Sequence, residues 1–261
     1  MSTVSIVGCG WYGLPLGKYL AEKQYIVKGS TTRLPKFSTL SHNGIQPFLL
    51  ELNPVPEQYD LALFDCDICL VNIPPSNPDR SDKFTQAQLF FIRQQLLKQK
   101  VKRVIFISST GVYPNLNREV SEEDEALEQR SRSGIQLLPL EQIFTSESTF
   151  STTVIRFAGL YGGDRHPVKY MVGRHISNGL APVNMIHLED CIGVTEAIIE
   201  KGLWGETFNA CSPDHPTRKD FYTRAAKERK LPVPSFVEEK EDFKIVSPAK
   251  LINATGYRFR H

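Results

Sequence analysis

A chain of 261 residues carries 31 basic against 29 acidic side chains, a formal net charge of +2. That length suits one large α/β domain with a smaller lobe, and the charge balance argues against a nucleic-acid or anionic-membrane surface. No apolar run is long enough to span a bilayer and no secretory leader is evident, so a soluble, cytoplasmic protein is expected.

The first strand, Val4–Val7, runs into Gly8-Cys9-Gly10-Trp11-Tyr12-Gly13 and then a helix over Gly13–Lys23. Gly8 permits the tight turn, and Gly10 lets the backbone approach a pyrophosphate. Gly13 lets the helix pack closely on the sheet, with its free N–H groups and positive dipole end aimed at phosphate. The motif follows a strand and opens a helix, which is the context a dinucleotide site requires. Gly8, Gly10, Trp11, Tyr12 and Gly13 are therefore candidate cofactor residues.

A second strand, Tyr25–Gly29, ends in Ser30-Thr31-Thr32-Arg33. An NAD site usually places an acid there for the ribose 2′-hydroxyl, and none is present. Hydroxyl donors and an arginine fork suit a 2′-phosphate instead. NADP is expected, with NAD as the alternative, and Ser30, Thr31, Thr32 and Arg33 join the candidate set. Strands follow at Pro47–Leu52 and Ile68–Ile73, the latter leading through Asn72 and Pro74 past the adenosine side of the cofactor. Cys66-Asp67-Ile68-Cys69 spells C-x-x-C at the entry to that strand. Residues three apart on a strand face opposite ways, and five cysteines in all fit reduced, structural thiols rather than a disulfide framework or a metal site.

Apolar residues at helical spacing mark Lys83–Lys100, and a fifth strand, Arg103–Ile107, ends in Ser108-Ser109-Thr110-Gly111. The acidic stretch Asn115–Arg132 reads as a solvated loop with a short helix. A helix is expected over Ile135–Thr145, with Pro139 kinking it or delaying its start, and a sixth strand at Thr153–Phe157. Beyond Gly159 the elements shorten. Val183–His187 and Glu206–Ala210 read as strands, Leu188–Lys201 and Arg218–Arg229 as helices. This alternation predicts an α/β fold, a doubly wound parallel sheet of Rossmann type. Residues 1–160 form its nucleotide-binding domain, and residues 161–261 a smaller substrate lobe partly interleaved with the sheet.

Ile105-Phe106-Ile107-Ser108-Ser109-Thr110-Gly111-Val112-Tyr113 resembles the fifth-strand signature of extended short-chain dehydrogenases/reductases, the NAD-dependent epimerase/dehydratase family. Four later stretches are similar to that family in the same order. They are Val154 to Gly162, Asn184 to Cys191, Glu206 to Ala210, and Ile245 to Leu251 with Gly256-Tyr257. The resemblance covers nearly the whole chain and implies a small-molecule substrate, a nucleotide sugar among the candidates. It also implies a homodimer through the helices near 83–100 and 135–145.

Two features depart from the family. The turn is G-x-G-x-x-G rather than G-x-x-G-x-x-G, and with Leu14-Pro15-Leu16-Gly17 it is similar to that of hydroxyacid and 6-phosphogluconate dehydrogenases. The family's Tyr-x-x-x-Lys is also missing from its place. Glu141 fits the glutamate that follows the lysine, which puts Gly134 at the tyrosine position and Leu138 at the lysine position. No tyrosine occurs between Tyr113 and Tyr161. Tyr19 to Lys23 matches the pattern by letter only and lies on the first helix.

A glycine exchanges no proton and a leucine stabilises no anion, so the family's acid–base chemistry is not expected at that place. Ser109 remains, at the position that orients a substrate oxygen, and Tyr113 is the first candidate for a replacement acid. Tyr161, His166 and His187 are further candidates near the inferred cleft. Two functions follow from this reading. One is an NAD(P)-dependent epimerase/dehydratase- or reductase-like enzyme acting on a small polar substrate. The other is a non-catalytic NADP(H)-binding sensor or scaffold.

Overall fold

A computed structural model describes residues 1–74, 82–125 and 136–261. The chain runs β1 (Thr3–Val7), α1 (Gly13–Glu22), β2 (Ile26–Thr31), α2 (Phe37–His42), β3 (Ile45–Leu49), β4 (Ile68–Val71), α3 (Asp82–Lys98) and β5 (Arg103–Ser109). It continues through β6 (Glu119–Val120), α4 (Leu138–Thr145), β7 (Ser151–Phe157), β8 (Gly159–Tyr161), β9 (His175–Ile176), β10 (Met185–His187) and α5 (Leu188–Lys201). The last elements are β11 (Thr207–Ala210), α6 (Arg218–Glu228), β12 (Ser235–Phe236), β13 (Ile245–Val246) and α7 (Ala249–Thr255).

Seven strands form one sheet in the order β3-β2-β1-β4-β5-β7-β11, and every pairing in it is parallel. The chain winds outward in both directions from β1 and β4, so the fold is a doubly wound α/β sheet. The crevice between the carboxyl ends of those two strands is the topological switch point, where such sheets take their ligands. Parallel strands are covered by helices on both faces and read as near-continuous apolar runs. Accordingly β4 is buried throughout, and β7 is buried from Thr152 to Phe157. On α1 the buried residues are Gly13, Leu16, Gly17 and Leu20, one stripe of the helix facing the sheet. None of the described helices is long and apolar enough to cross a membrane.

Several elements differ from expectation. The third strand begins two residues early, at Ile45, and Pro47 sits inside it opposite Gly29. β3 is a sheet edge, where a missing N–H costs no ladder bond. β2 runs on to Thr31, so Ser30 and Thr31 belong to the strand rather than the loop after it. Cys66 precedes β4, so strand alternation does not separate it from Cys69. Each thiol acts on the other, Cys69 lowering the pKa of Cys66 and Cys66 raising that of Cys69. All five cysteines are free.

The acidic stretch is not simply a solvated loop. Its residues 119–120 pair with β13, Arg118 and Asp124 form an ion pair at 2.7 Å, and Glu122 accepts the Asn209 N–H at 2.7 Å. Residues 126–135, Gly134 among them, lie outside the described residues, as does Pro75; α4 is described from Leu138, with Pro139 in its first turn.

One side chain interrupts the apolar run of β7. Arg156 is 2% exposed and forms a bidentate pair with Glu141 on α4, at 2.6 and 3.1 Å. It also bonds the Tyr113 hydroxyl at 2.8 Å and Glu125 at 2.5 Å. Burial alone would lower the guanidinium pKa, but the Glu141 carboxylate more than offsets that and holds the charge. Removing one partner of such a pair strands a charge in the core. Glu141→Gln is therefore expected to cost about 3 kcal/mol, read as a lower urea midpoint at unchanged slope. A loss below about 1 kcal/mol, the scale of a surface pair, would show that Glu125 alone suffices.

Candidate functional site

The switch point is built around the carbonyl of Gly8. That oxygen accepts the Gly10 N–H at 2.9 Å and the Asn72 side-chain amide at 2.9 Å, joining the turn to the end of β4. Gly8 has φ +109°, and a Cβ there would lie 2.3 Å from the Asn72 carbonyl oxygen. A Cβ on Gly13 would lie 2.3 Å from the Gly8 oxygen, so α1 starts pressed against the turn. On Gly10 a Cβ would meet nothing within 4 Å. The open side of the turn is therefore at Gly10, and the packed sides are at Gly8 and Gly13.

α1 begins without an acidic residue in its first turn and without a side-chain cap. Its first N–H groups keep the partial positive charge that a capping carboxylate would neutralise. Beside them the indole Nε1 of Trp11 is buried with no partner among the described residues, and the Arg165 guanidinium stacks 5.5 Å from the Trp11 ring. Thr32 and Arg33 are exposed just past the end of β2. Thr31 is buried, and its hydroxyl accepts the Arg33 N–H at 3.3 Å. Pro74 is exposed two residues beyond Asn72.

Two of the candidate cofactor residues are turned elsewhere. The Ser30 hydroxyl accepts the Gly8 N–H at 2.9 Å, and its carbonyl accepts the Cys9 N–H at 2.9 Å. Ser30 thus braces the turn from β2. The Tyr12 ring is buried against Phe157, and its hydroxyl meets Thr195 on α5 at 2.6 Å. Only the Tyr12 backbone belongs to the turn. Tyr19 and Lys23 both reach Glu196 on α5, at 2.6 and 3.0 Å, which makes that letter match a helix-packing feature.

Ser109 is half-buried at the end of β5, and its hydroxyl accepts the Gly111 N–H at 3.1 Å. Tyr113 does not face a cleft. It is fully buried, donates to Asn209 at 2.6 Å and accepts from Arg156. Burial pushes its phenol up to about 12 against the pull of Arg156. Both hydroxyl valences are occupied inside the core. Leu138 is buried at the first position of α4.

The other candidates separate. His166 is bound by Arg229, just past the end of α6, at 2.7 Å. Tyr161 and His187 lie opposite each other in the β8–β10 pair, rings edge-on at 5.1 Å. Burial, then the neighbouring His261, lowers the His187 pKa. His187 also caps α5, accepting the Glu189 N–H at 3.3 Å. The next residue, Asp190, is fully buried, and its carboxylate accepts from the Tyr257 hydroxyl (2.9 Å), the Arg260 N–H (3.0 Å) and the His261 N–H (3.3 Å). Its role in seating the C-terminal tail was not visible in the sequence.

No family model matches the chain. Protein YeeZ from Escherichia coli K12 is 31% identical over 266 aligned residues, spanning 100% of this chain and 97% of its own. Among solved structures, a UDP-glucuronic acid 4-epimerase from Bacillus cereus in complex with NAD superposes with a TM-score of 0.79 at 21% identity, covering 99% of this chain and 92% of its own. A conserved protein of unknown function from Silicibacter pomeroyi gives 0.78 at 20% identity over 100% and 94%. A UDP-glucose 4-epimerase from Thermotoga maritima with UDP-glucose gives 0.77 at 17% over 99% and 94%.

The three glycines predict a split in stability. Gly13→Ala drives a methyl into a backbone oxygen and is expected to cost about 1–3 kcal/mol, whereas Gly10→Ala is expected to stay within about 0.5 kcal/mol of the parent. Urea unfolding of both variants decides it; equal losses would mean that Gly10 is packed like Gly13.

Proposed function

The chain belongs to the family of Protein YeeZ from Escherichia coli, and on that premise we propose that it binds an NAD(P)-type dinucleotide across the carboxyl ends of β1, β2 and β4. The observation that carries this reading is the open side of the turn. Among the described residues, Gly10 faces free space, the α1 N–H groups are without a side-chain cap, and the buried Trp11 indole lacks a partner. A pyrophosphate supplies the negative charge and acceptors that all three want.

Backbone N–H groups from Trp11 to Gly13 would hold the pyrophosphate, with Asn72 and Ser30 keeping the turn in shape. Thr32 and Arg33 would meet the adenosine ribose, and the absence of an acid there favours NADP over NAD. Pro74 would border the adenosine side. Bound there, the cofactor supplies a hydride donor or acceptor. The NAD in complex with the Bacillus cereus epimerase supports a dinucleotide of this class, and the UDP-glucose with the Thermotoga maritima epimerase supports a nucleotide-sugar substrate.

We assign residues 161–261 as the substrate lobe, for a small polar molecule with a nucleotide sugar among the candidates. It has its own apolar cluster of Val168, Val183, Met185, Phe221, Tyr222 and Ala226, while β11 and α5 remain part of the main sheet and its core. Ser109 would orient a substrate oxygen. The family resemblance further implies a homodimer through α3 and α4. A non-catalytic reading, a sensor of NADP(H), is favoured by two observations. Leu138 is buried and apolar, and Tyr113 is locked to Arg156 and Asn209. Hydride exchange from 4-deuterated NADPH separates the two, since a sensor binds the cofactor without washing label into any carbonyl or nucleotide-sugar substrate.

Binding is tested by fluorescence titration with NADPH and NADH. Gly10→Ala is expected to weaken NADPH by roughly tenfold or more at an unchanged melting temperature. Arg33→Ala removes a charge-assisted pair worth about 1.5–3 kcal/mol and is expected to erase the preference for NADPH while leaving NADH binding alone. A wild-type protein that binds neither nucleotide overturns the proposal, and an equal loss for both nucleotides in Arg33→Ala overturns the NADP assignment.

A further inference from the structure

We propose that His187, Glu189 and His261 form a site for one borderline divalent metal ion of the Zn2+ class, where the C-terminal tail meets the start of α5. The site uses none of the glycine-turn residues and stands apart from the dinucleotide reading. One ligand-capable atom from each side chain lies within 4.8 Å of the other two. The His261 Nε2 is 3.1 Å from the Glu189 carboxylate, and the two imidazole centroids are 4.0 Å apart.

In a tetrahedral zinc site the metal–ligand bonds of about 2.0–2.2 Å separate neighbouring ligand atoms by roughly 3.4 Å. Closing this cluster onto an ion therefore asks for shifts of up to about 1.4 Å. Glu189 and His261 can make them, because their side chains are 61% and 37% exposed. His187 is the fixed member, half-buried and edge-on to Tyr161. Its Nδ1 accepts the long bond from the Glu189 N–H, so that nitrogen carries a lone pair turned toward the start of the helix. A metal would replace this weak 3.3 Å contact.

Two imidazoles and one carboxylate form the donor set of zinc sites that keep a fourth position for water. Magnesium and calcium would take oxygen ligands instead. The positive end of a helix opposes a cation, but α5 carries both Glu189 and Asp190 in its first turn. His261 is also held in place rather than met by chance. The three hydrogen bonds that Asp190 accepts from Tyr257, Arg260 and His261 lay the tail across α5 and bring the His261 ring onto His187.

The test uses the untagged full chain after treatment with a chelator, titrated with Zn2+ by calorimetry and with Co2+ by visible absorption. One equivalent and tetrahedral Co2+ bands are expected. Glu189→Gln and His261→Gln, both at exposed side chains, should each weaken Zn2+ by roughly tenfold or more. His187→Ala should do the same, with circular dichroism confirming that the variants fold. His175→Ala, at an exposed histidine elsewhere, should bind as the parent does. Saturating Zn2+ should raise the melting temperature of the wild type and not of His261→Gln. No binding by the wild type, or an affinity and stoichiometry unchanged in Glu189→Gln and His261→Gln, overturns the proposal.

Discussion

Three elements converge on the carbonyl oxygen of Gly8, and the positions of the others follow from how closely they approach it. The Gly10 N–H and the Asn72 amide both bond that oxygen, while the first residue of α1 lies so close that only glycine fits. The same closeness has two faces. Inward, it lowers α1 onto the sheet, so that Leu16 and Leu20 become fully buried. Outward, it leaves Gly10 bare and the first turn of the helix uncapped. A larger residue at Gly13 would lift the helix and disturb both faces together. Core packing and an anion-ready turn are therefore one geometric requirement, and neither can be relaxed separately.

A second constraint organises the other half of the sheet. Arg156 draws together α4 through Glu141, the loop after β5 through Tyr113, and the acidic stretch through Glu125. Tyr113 passes the connection to Asn209 on β11, which reaches the Ser247 carbonyl near β13. Buried ion pairs seldom add net stability over an apolar core of the same volume, because desolvation offsets the attraction. Their effect here is positional. A bidentate guanidinium accepts partners in few directions, so it fixes how α4, the acidic stretch and the C-terminal segment sit against β5 and β7. In that setting Tyr113 is a strut, and its raised pKa reflects the same burial.

The glycine turn was legible in the sequence because its chemistry is local, six residues between a strand and a helix. The parallel sheet was legible because short apolar runs alternate with helical spacing. What the sequence concealed depends on distant partners. Tyr12 falls inside the motif, yet its ring points to Thr195, and Ser30 stands where a ribose contact is expected yet spends its hydroxyl on Gly8. The acidic stretch read as solvated because nothing near it in the chain announces Asn209 or Arg156 as partners. A signal was present in Val154-Ile155-Arg156-Phe157: a charge inside a strand buried on both faces demands a buried counter-charge. Glu141, the acid that provides it, had been placed only by its resemblance to a family position.

The two constrained regions are joined through α5. Its middle holds α1 by three polar contacts, Thr195 with Tyr12 and Glu196 with both Tyr19 and Lys23. Its start carries His187 beside β8 and holds the C-terminal tail through Asp190. A shift of α5 along its axis would break the Tyr12–Thr195 bond inside the core and unseat the tail at the same time. The wall formed by β8, β10 and the start of α5 is therefore set at a fixed position relative to the glycine turn. Ser109 reaches the same edge of the sheet from β5, through the register that pairs it with Phe157, the residue against which the Tyr12 ring packs. A ligand lying on the turn would thus meet side chains whose places are decided by the packing of α1.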